Sequence, residues 1–435
     1  MKGKEKVREV LFWLFDLLKG GSIYTHYKDI KFITEYPAHL RTKEKIRVYL
    51  QNILLHASDT TNFYNSYTSQ DINDFPVITK EIIKSSYNEF VSKKYQSKRK
   101  VTVTTSGSTG AAFTVFQDIN KKARNTADIV YYSELAGFYI GYRLYYLRFW
   151  NMFKKKSKLT SILQNIVSVN VFELSSNSIK QLLDSLINSK SNKGMIGYAS
   201  SFTKICKYLD TIESAPIDCQ LKSVIGISER LDINTKMKMK KYFNVDMVSR
   251  YSNSENGMIA QQPKEAEYFV INQASYYVEI LDLEQDVPVK SGELGRIVIT
   301  DLFNYMTPII RYDTGDLGVM DYPDSDKILP LVLTKVEGRK MDMIRNTSGE
   351  ILSTSILLLI NKYDEIIQRQ IIQKTKKEYL FKLKTENNTF DQQKIFIQEF
   401  KKYLGQDAII FVELVTDVSL LPSGKERAII NEVNL

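Results

Sequence analysis

A chain of 435 residues, 43% hydrophobic and 25% charged, is too long for one compact core and too apolar to stay disordered, so two or three globular units are expected. Its two cysteines, Cys206 and Cys219, provide neither a disulfide framework nor a cysteine metal cluster, which fits a reducing, cytoplasmic setting. The formal charge of +10 attracts anions, but the lysines are scattered and no arginine–aromatic array accompanies them, so no nucleic-acid partner is expected.

The first element is an apolar helix over 7–18, too short and too interrupted by Glu9 and Asp16 to cross a membrane. It is expected to dock on the protein's own core, with peripheral membrane contact through Phe12, Trp13 and Phe15 as the alternative. No secretory cleavage pattern follows it. Residues 40–100 read as mainly helical, with Thr79 after Pro76 as a helix cap.

At Val101 the period changes to the alternation of a strand, a Ser/Thr/Gly loop follows, and Phe113 to Phe116 resumes as a strand. Helices over 120–135, 178–186, 201–212 and 234–243 then alternate with apolar runs at 194–197 and 221–227, the pattern of a sheet flanked by helices. Strands follow at 276–283 and 295–300, separated by a turn-rich stretch. Past residue 337 the pattern restarts as helix 354–363, strands 368–373 and 378–383, helix 392–404 and strand 408–414. The expected domains are therefore 1–337 and 338–435, and the fold class is α/β, with mixed sheets in the large domain and a small α+β domain behind it. The aromatic stretch over 131–153 reads as core packing rather than a dedicated ligand box, with a part in shaping a ligand pocket left open.

The loop Thr104-Thr105-Ser106-Gly107-Ser108-Thr109-Gly110 offers hydroxyl donors and two glycines that let backbone amides approach an anion. It is not a Walker loop, because the lysine is missing and a strand follows; taken alone, it fits a polar hairpin equally well. Tyr251-Ser252-Asn253-Ser254-Glu255-Asn256-Gly257 supplies an aromatic face, hydroxyls and a carboxylate suited to Mg²⁺. Arg311-Tyr312-Asp313-Thr314-Gly315-Asp316 supplies a carboxylate able to accept two ribose hydroxyls, or simply an Asp-Gly turn. Gly338-Arg339 stands at the domain boundary, and Pro422-Ser423-Gly424-Lys425 places a lysine near the C-terminus. The three histidines, His26, His39 and His56, lie upstream of every motif, which argues against a Ser-His-Asp hydrolase.

In this order the motifs resemble those of the adenylate-forming superfamily of acyl-CoA synthetases, adenylation domains and luciferases, over most of the chain. The phenylacetate-coenzyme A ligase-like branch, with its capsular-polysaccharide-biosynthesis members, is the most similar, through Gly197-Tyr198-Ala199-Ser200, Ile227-Ser228-Glu229-Arg230 and Gly292-Glu293-Leu294-Gly295. The resemblance implies a large nucleotide- and acyl-binding domain and a mobile C-terminal lid. It implies that Thr105, Ser106, Gly107, Ser108, Thr109 and Gly110 hold the ATP phosphates, that Ser228 and Glu229 line the pocket, and that Tyr251 packs on adenine. Ser254 serves phosphate and Glu255 serves Mg²⁺, Asp316 binds the ribose, Arg339 contacts the nucleotide, and Lys425 is the catalytic lysine.

The activity so implied is ATP-dependent activation of a carboxylic acid, followed by transfer of the acyl group to coenzyme A or to an amine of an amino acid or amino sugar. Departures from the pattern are Met341 at the usual acidic hinge, Ser252 after the tyrosine, and Ala111-Ala112 after the loop. They motivate the alternative of a nucleotide-binding scaffold that has lost catalysis.

Overall fold

A computed structural model describes residues 2–105, 113–148, 161, 163–171, 174–264, 266–323, 330–339, 343–352, 356–360, 362–363, 365–385, 387–418 and 428–433. The chain divides into two compact units, Met1–Thr314 with Gly318–Val336, and Gly315–Leu317 with Glu337–Leu435.

The first unit begins with helices α1 (Gly3–Leu18), α2 (Ser22–Glu35) and α3 (Leu40–Thr60), then the short α4 (Lys80–Ser85) and α5 (Tyr87–Phe90). Thr79 caps α4 as its sequence predicts, its hydroxyl accepting the amide of Ile82. Strands β1 (Lys100–Thr105) and β2 (Phe113–Asp118) form an antiparallel hairpin whose last described pair, Thr105 and Phe113, frames the Ser/Gly loop. That loop therefore does run between two strands; its residues 106–112 lie outside the described part. Asp118 then caps α6 (Ile119–Leu135) by accepting the amide of Lys121.

Alternation of strand and helix builds the main sheet from β3 (Arg143–Arg148), β4 (Ile166–Asn170), β5 (Lys193–Tyr198), β6 (Leu221–Ile227), β7 (Met247–Asn253), β8 (Gly257–Gln261) and β9 (Val270–Ile271). Their order is β4-β3-β5-β6-β7-β8-β9, parallel from β4 through β7 and antiparallel beyond. Helices α7 (Ser176–Asn188), α8 (Ala199–Thr211) and α9 (Ile233–Phe243) pack on one face, where Tyr145, Leu147, Met195, Val224 and Met247 form the largest core. Ala136, just past α6, meets Ile225 and Val248 on the other face. The aromatic stretch is core packing as expected at Tyr131, Tyr132, Tyr142 and Tyr145; Trp150 and Phe153 lie outside the described residues. A second sheet, β10-β11-β12-β13, comprises β10 (Tyr276–Leu281), β11 (Leu294–Asp301), β12 (Tyr312–Asp321) and β13 (Val332–Arg339).

The second unit holds α10 (Ile356–Ile360), β14 (Ile366–Gln373), β15 (Glu378–Thr385), α11 (Gln393–Leu404), β16 (Ile409–Leu414) and β17 (Ile429–Asn431). Its sheet runs β16-β15-β14-β17, with Phe381 edge-on to Phe396 at 5.1 Å in the core.

One expectation is corrected. Helix α1 does pack on the protein, but not by its apolar stripe: Glu5 and Asp16 are buried, whereas Phe15 is 57% exposed and Leu18 73% exposed. Sequence periodicity shows which residues share a helix face, not which way that face looks.

Candidate active site

The loop hairpin is fixed to the Tyr251–Gly257 region by one side chain. Gln117, on β2, donates its amide to the Glu255 carbonyl oxygen at 3.0 Å and accepts from Asn125 of α6 at 3.2 Å. The turn between β7 and β8 is tight: Asn253 Oδ1 accepts the Asn256 amide at 2.8 Å, and the following Gly257 sits at φ +121°. A Cβ there would stand 2.9 Å from both Asn125 Oδ1 and the Tyr276 hydroxyl, so the position requires glycine on two counts.

Two of the motifs converge at this turn. Tyr312 donates its hydroxyl to Glu255 Oε1 at 2.8 Å, with both residues buried, and the half-buried Tyr251 reaches Thr314 Oγ1 at 3.4 Å. Behind them, Tyr276 donates to the Asn256 carbonyl at 2.6 Å and receives a hydrogen bond from Lys121, whose ammonium pairs with Asp301 at 2.6 Å in full burial. Ser254 is exposed at the turn.

A second convergence lies at the carboxyl ends of β5 and β6. Glu229 Oε2 accepts the Ser200 amide at 2.8 Å in the first turn of α8, where the helix dipole favours a carboxylate. Ser228 holds φ +69°, a left-handed conformation that a non-glycine residue adopts only at a cost of about 1–2 kcal/mol, and such strain clusters at functional loops.

Asp316 follows Gly315 (φ +75°) within β12, so it lies on a strand rather than in a free Asp-Gly turn. Arg339 ends β13 and is exposed. Of the loop residues, Thr105 ends β1, while Ser106, Gly107, Ser108, Thr109, Gly110 and the distant Lys425 lie outside the described residues. Arg311, the first residue of its motif, is spent structurally: it pairs with Glu279 at 3.0 Å, both buried, and donates to the Phe75 carbonyl at 3.1 Å.

Sequence reasoning passed over Gln117, the role of Tyr312, and Arg250. Register places Arg148, Tyr198, Ile227 and Arg250 in one row at the carboxyl edge of the parallel sheet. Arg250 is buried, donates to Gln261 Oε1 at 2.8 Å and Ser133 Oγ at 3.2 Å, and has no carboxylate partner among the described residues. Burial pushes its pKa down to about 10. Arg148 stands in the same row as Tyr198, where burial raises the pKa of the hydroxyl and the guanidinium opposes that rise. The available signal for Arg250 was a charged residue inside the otherwise apolar run that leads to Tyr251.

The N-terminus does fold back on this unit. His26 contacts Asn120 Oδ1 at 2.9 Å and Arg124 at 3.3 Å, and His56 contacts the Tyr305 carbonyl at 2.8 Å. Burial, then Arg124, lowers the pKa of His26; burial, then Lys94, lowers that of His56. Both imidazoles thus take up a proton at lower pH in the fold than in the unfolded chain, whose ordinary value is 6.5. Stability is full above that pH and falls as pH drops through it, since the unfolded state then binds more protons. Urea midpoints measured between about pH 7.5 and about pH 5.5 should fall, with a shallower slope in His26→Asn.

The fold, a large unit followed by a small C-terminal one, is similar to that of solved acyl-CoA ligases, as the resemblance implied. Residues 343–432 match the family described as the CapK C-terminal domain. The chain is 23% identical over 385 residues to Protein CapK of Staphylococcus aureus, covering 84% of this chain and 81% of that one. 2-Hydroxyisobutyryl-CoA ligase in the postadenylation state with 2-HIB-AMP superposes with a TM-score of 0.71 at 16% identity, over 91% of this chain and 90% of that chain. ATP-bound MatB from Rhodopseudomonas palustris superposes with a TM-score of 0.55 at 14% identity, over 75% and 66%.

Proposed function

We propose that the protein activates a carboxylic acid with ATP. A carboxylate oxygen attacks the α-phosphorus, the bond from that phosphorus to the bridging oxygen breaks, and pyrophosphate leaves. A thiol of coenzyme A or an amine then attacks the acyl carbon and AMP departs. The observation that carries this reading is the Glu255–Tyr312 hydrogen bond, because it joins two separate motifs beside the hairpin that frames the Ser/Gly loop.

The carboxylate is already a nucleophile, so the first step needs no side-chain base. Ser106, Gly107, Ser108, Thr109 and Gly110, with Thr105, would cradle the phosphates; Tyr251 and Asp316 would take adenine and ribose, and Arg339 would contact the nucleotide. Ser228 and Glu229 would border the acid, and Ser254 would reach phosphate. Glu255 fits magnesium: Tyr312 fixes one carboxylate oxygen, and the other takes no hydrogen bond among the described residues. No group of three metal-binding side chains occurs among those residues, and magnesium is commonly held by one carboxylate with waters and substrate phosphates. When bound, the ion supplies positive charge to the phosphates.

Similarity to Protein CapK supports a place in capsular or surface polysaccharide assembly, where an amine acceptor would yield an amide. Both cysteines are free and buried, in keeping with a reducing cytoplasm, and among the described residues no helix is long and apolar enough to cross a membrane.

The test is acid-dependent release of pyrophosphate across a panel of carboxylic acids, with mass spectrometry of products from candidate acceptors. Turnover of at least one acid is expected; ATP binding with no turnover on any acid would instead favour the scaffold. For the acid's own site, Arg250→Met is expected to raise KM for the acid at least about tenfold with kcat less affected. The same change should cost about 1–3 kcal/mol of stability, since the buried Gln261 Oε1 loses its donor but no buried carboxylate loses its partner.

A further inference from the structure

The amphipathic polarity of α1 is reversed. Glu5 turns inward, accepting from the Asn192 backbone amide at 2.7 Å and its side-chain amide at 3.0 Å, and Asp16 accepts the first amides of α2, those of Ile23 and Tyr24. Trp13 packs edge-on against Tyr24 and Tyr27. The backbone is seated as closely: a Cβ at Gly141 would stand 2.2 Å from the Glu5 carbonyl oxygen. The helix is thus held by its acids and its indole.

What faces outward is apolar. Val7, Val10, Leu11, Leu14, Phe15 and Leu18 are between 41% and 73% exposed and cover an arc of roughly 140° at 3.6 residues per turn. Arg8 and Lys19 lie along one border of that arc and Lys4 just inside it, and none of the three takes an ion pair among the described residues. The remaining acid of this helix, the half-buried Glu9, is already bound to Lys6 at 2.6 Å. A surface helix ordinarily turns its apolar stripe to the core; an outward stripe bordered by unpaired cations is the pattern of a helix lying in a lipid interface.

We propose that α1 seats the protein on an anionic membrane surface, with Leu11, Leu14 and Leu18 in the acyl boundary and Lys4, Arg8 and Lys19 at the headgroups. Charge decides between occupants: a second copy would bring the same unpaired cations against these, whereas anionic lipid neutralises them. The length of the helix, 16 residues, suits lying in the interface and not spanning it.

The test is flotation of the full chain with vesicles of equimolar phosphatidylglycerol and phosphatidylcholine, against vesicles of phosphatidylcholine alone. The protein should float with the anionic vesicles only. Lys4→Gln/Arg8→Gln/Lys19→Gln should weaken partition roughly a hundredfold, about fivefold per cation. Leu11→Ser/Leu14→Ser/Leu18→Ser should abolish it with the circular-dichroism melt unchanged, since these side chains face away from the fold. The proposal is overturned if the unaltered protein stays in vesicle-free fractions, or if the leucine variant floats undiminished. It is equally overturned if the protein sediments as a dimer that the leucine variant converts to a monomer while neither floats, which would make the occupant a second copy.

Discussion

Lys425→Ala is expected to lower acid-dependent pyrophosphate release by about two to three orders of magnitude, the usual effect of removing one preorganised charge or donor from a developing anion. The reasoning starts from what the Ser/Gly loop lacks. Thr105, Ser106, Gly107, Ser108, Thr109 and Gly110 offer hydroxyls and amides but no cation, so under the proposed function the charge that magnesium leaves unmet when a carboxylate meets a triphosphate would be met from elsewhere in the chain. Lys425 falls between β16 and β17 in sequence, and the core of the second unit is built from other residues, such as Phe381, Phe396 and Phe400. Loss of turnover should therefore come without a change in melting temperature, with ATP still bound, and with partial recovery in Lys425→Arg. A loss of less than about tenfold would remove Lys425 from the chemistry.

The largest stability effect is expected at Lys121. Its ammonium and the Asp301 carboxylate are both fully buried, and Asp301 Oδ1 already accepts the amides of Phe303 and Asn304 at 3.0 and 3.2 Å. Lys121→Met would strand a carboxylate in the interior, a loss of about 3–5 kcal/mol. Asp301→Asn added to it keeps the acceptor for those amides and removes the charge, so the double variant should recover most of the loss. Urea unfolding of the four proteins gives the coupling energy, and a single-variant loss below about 1 kcal/mol would show the pair to be dispensable. Because Lys121 also donates to Tyr276, which holds the Asn256 carbonyl, the single variant should loosen the turn that carries Glu255.

The alternation of strands and helices through 193–243, and the small α+β pattern beyond 366, could be read because each element carries its own period. The strand setting of the Ser/Gly loop was readable for the same reason. What could not be read depends on partners distant in sequence. Glu255 and Tyr312 are brought together by β7, β8 and β12, and no local pattern announces that Tyr312 donates to Glu255 or that Gln117 ties the loop hairpin to the same turn. Arg311 shows the converse: it stands in a recognisable motif, yet its buried pairing with Glu279 is set by a strand whose place in the second sheet the motif does not encode. The outward turn of α1 was hidden because Glu5 and Asp16, acids in an apolar helix, find their partners at Asn192 and at the start of α2.

The order β4-β3-β5-β6-β7 also sets a distance along the sheet. From β3 the chain steps outward to β4, then crosses back over β3 to β5 and continues away through β6 and β7. In open parallel sheets such a reversal opens a crevice at the carboxyl ends of the two strands flanking it, here β3 and β5, which end at Arg148 and Tyr198. Tyr251 and Glu255 lie on and just past β7, three strand spacings from β3, or roughly 14 Å. Under the proposed function, an acid activated beside Tyr251 would reach the crevice only if it were extended enough to bridge that gap.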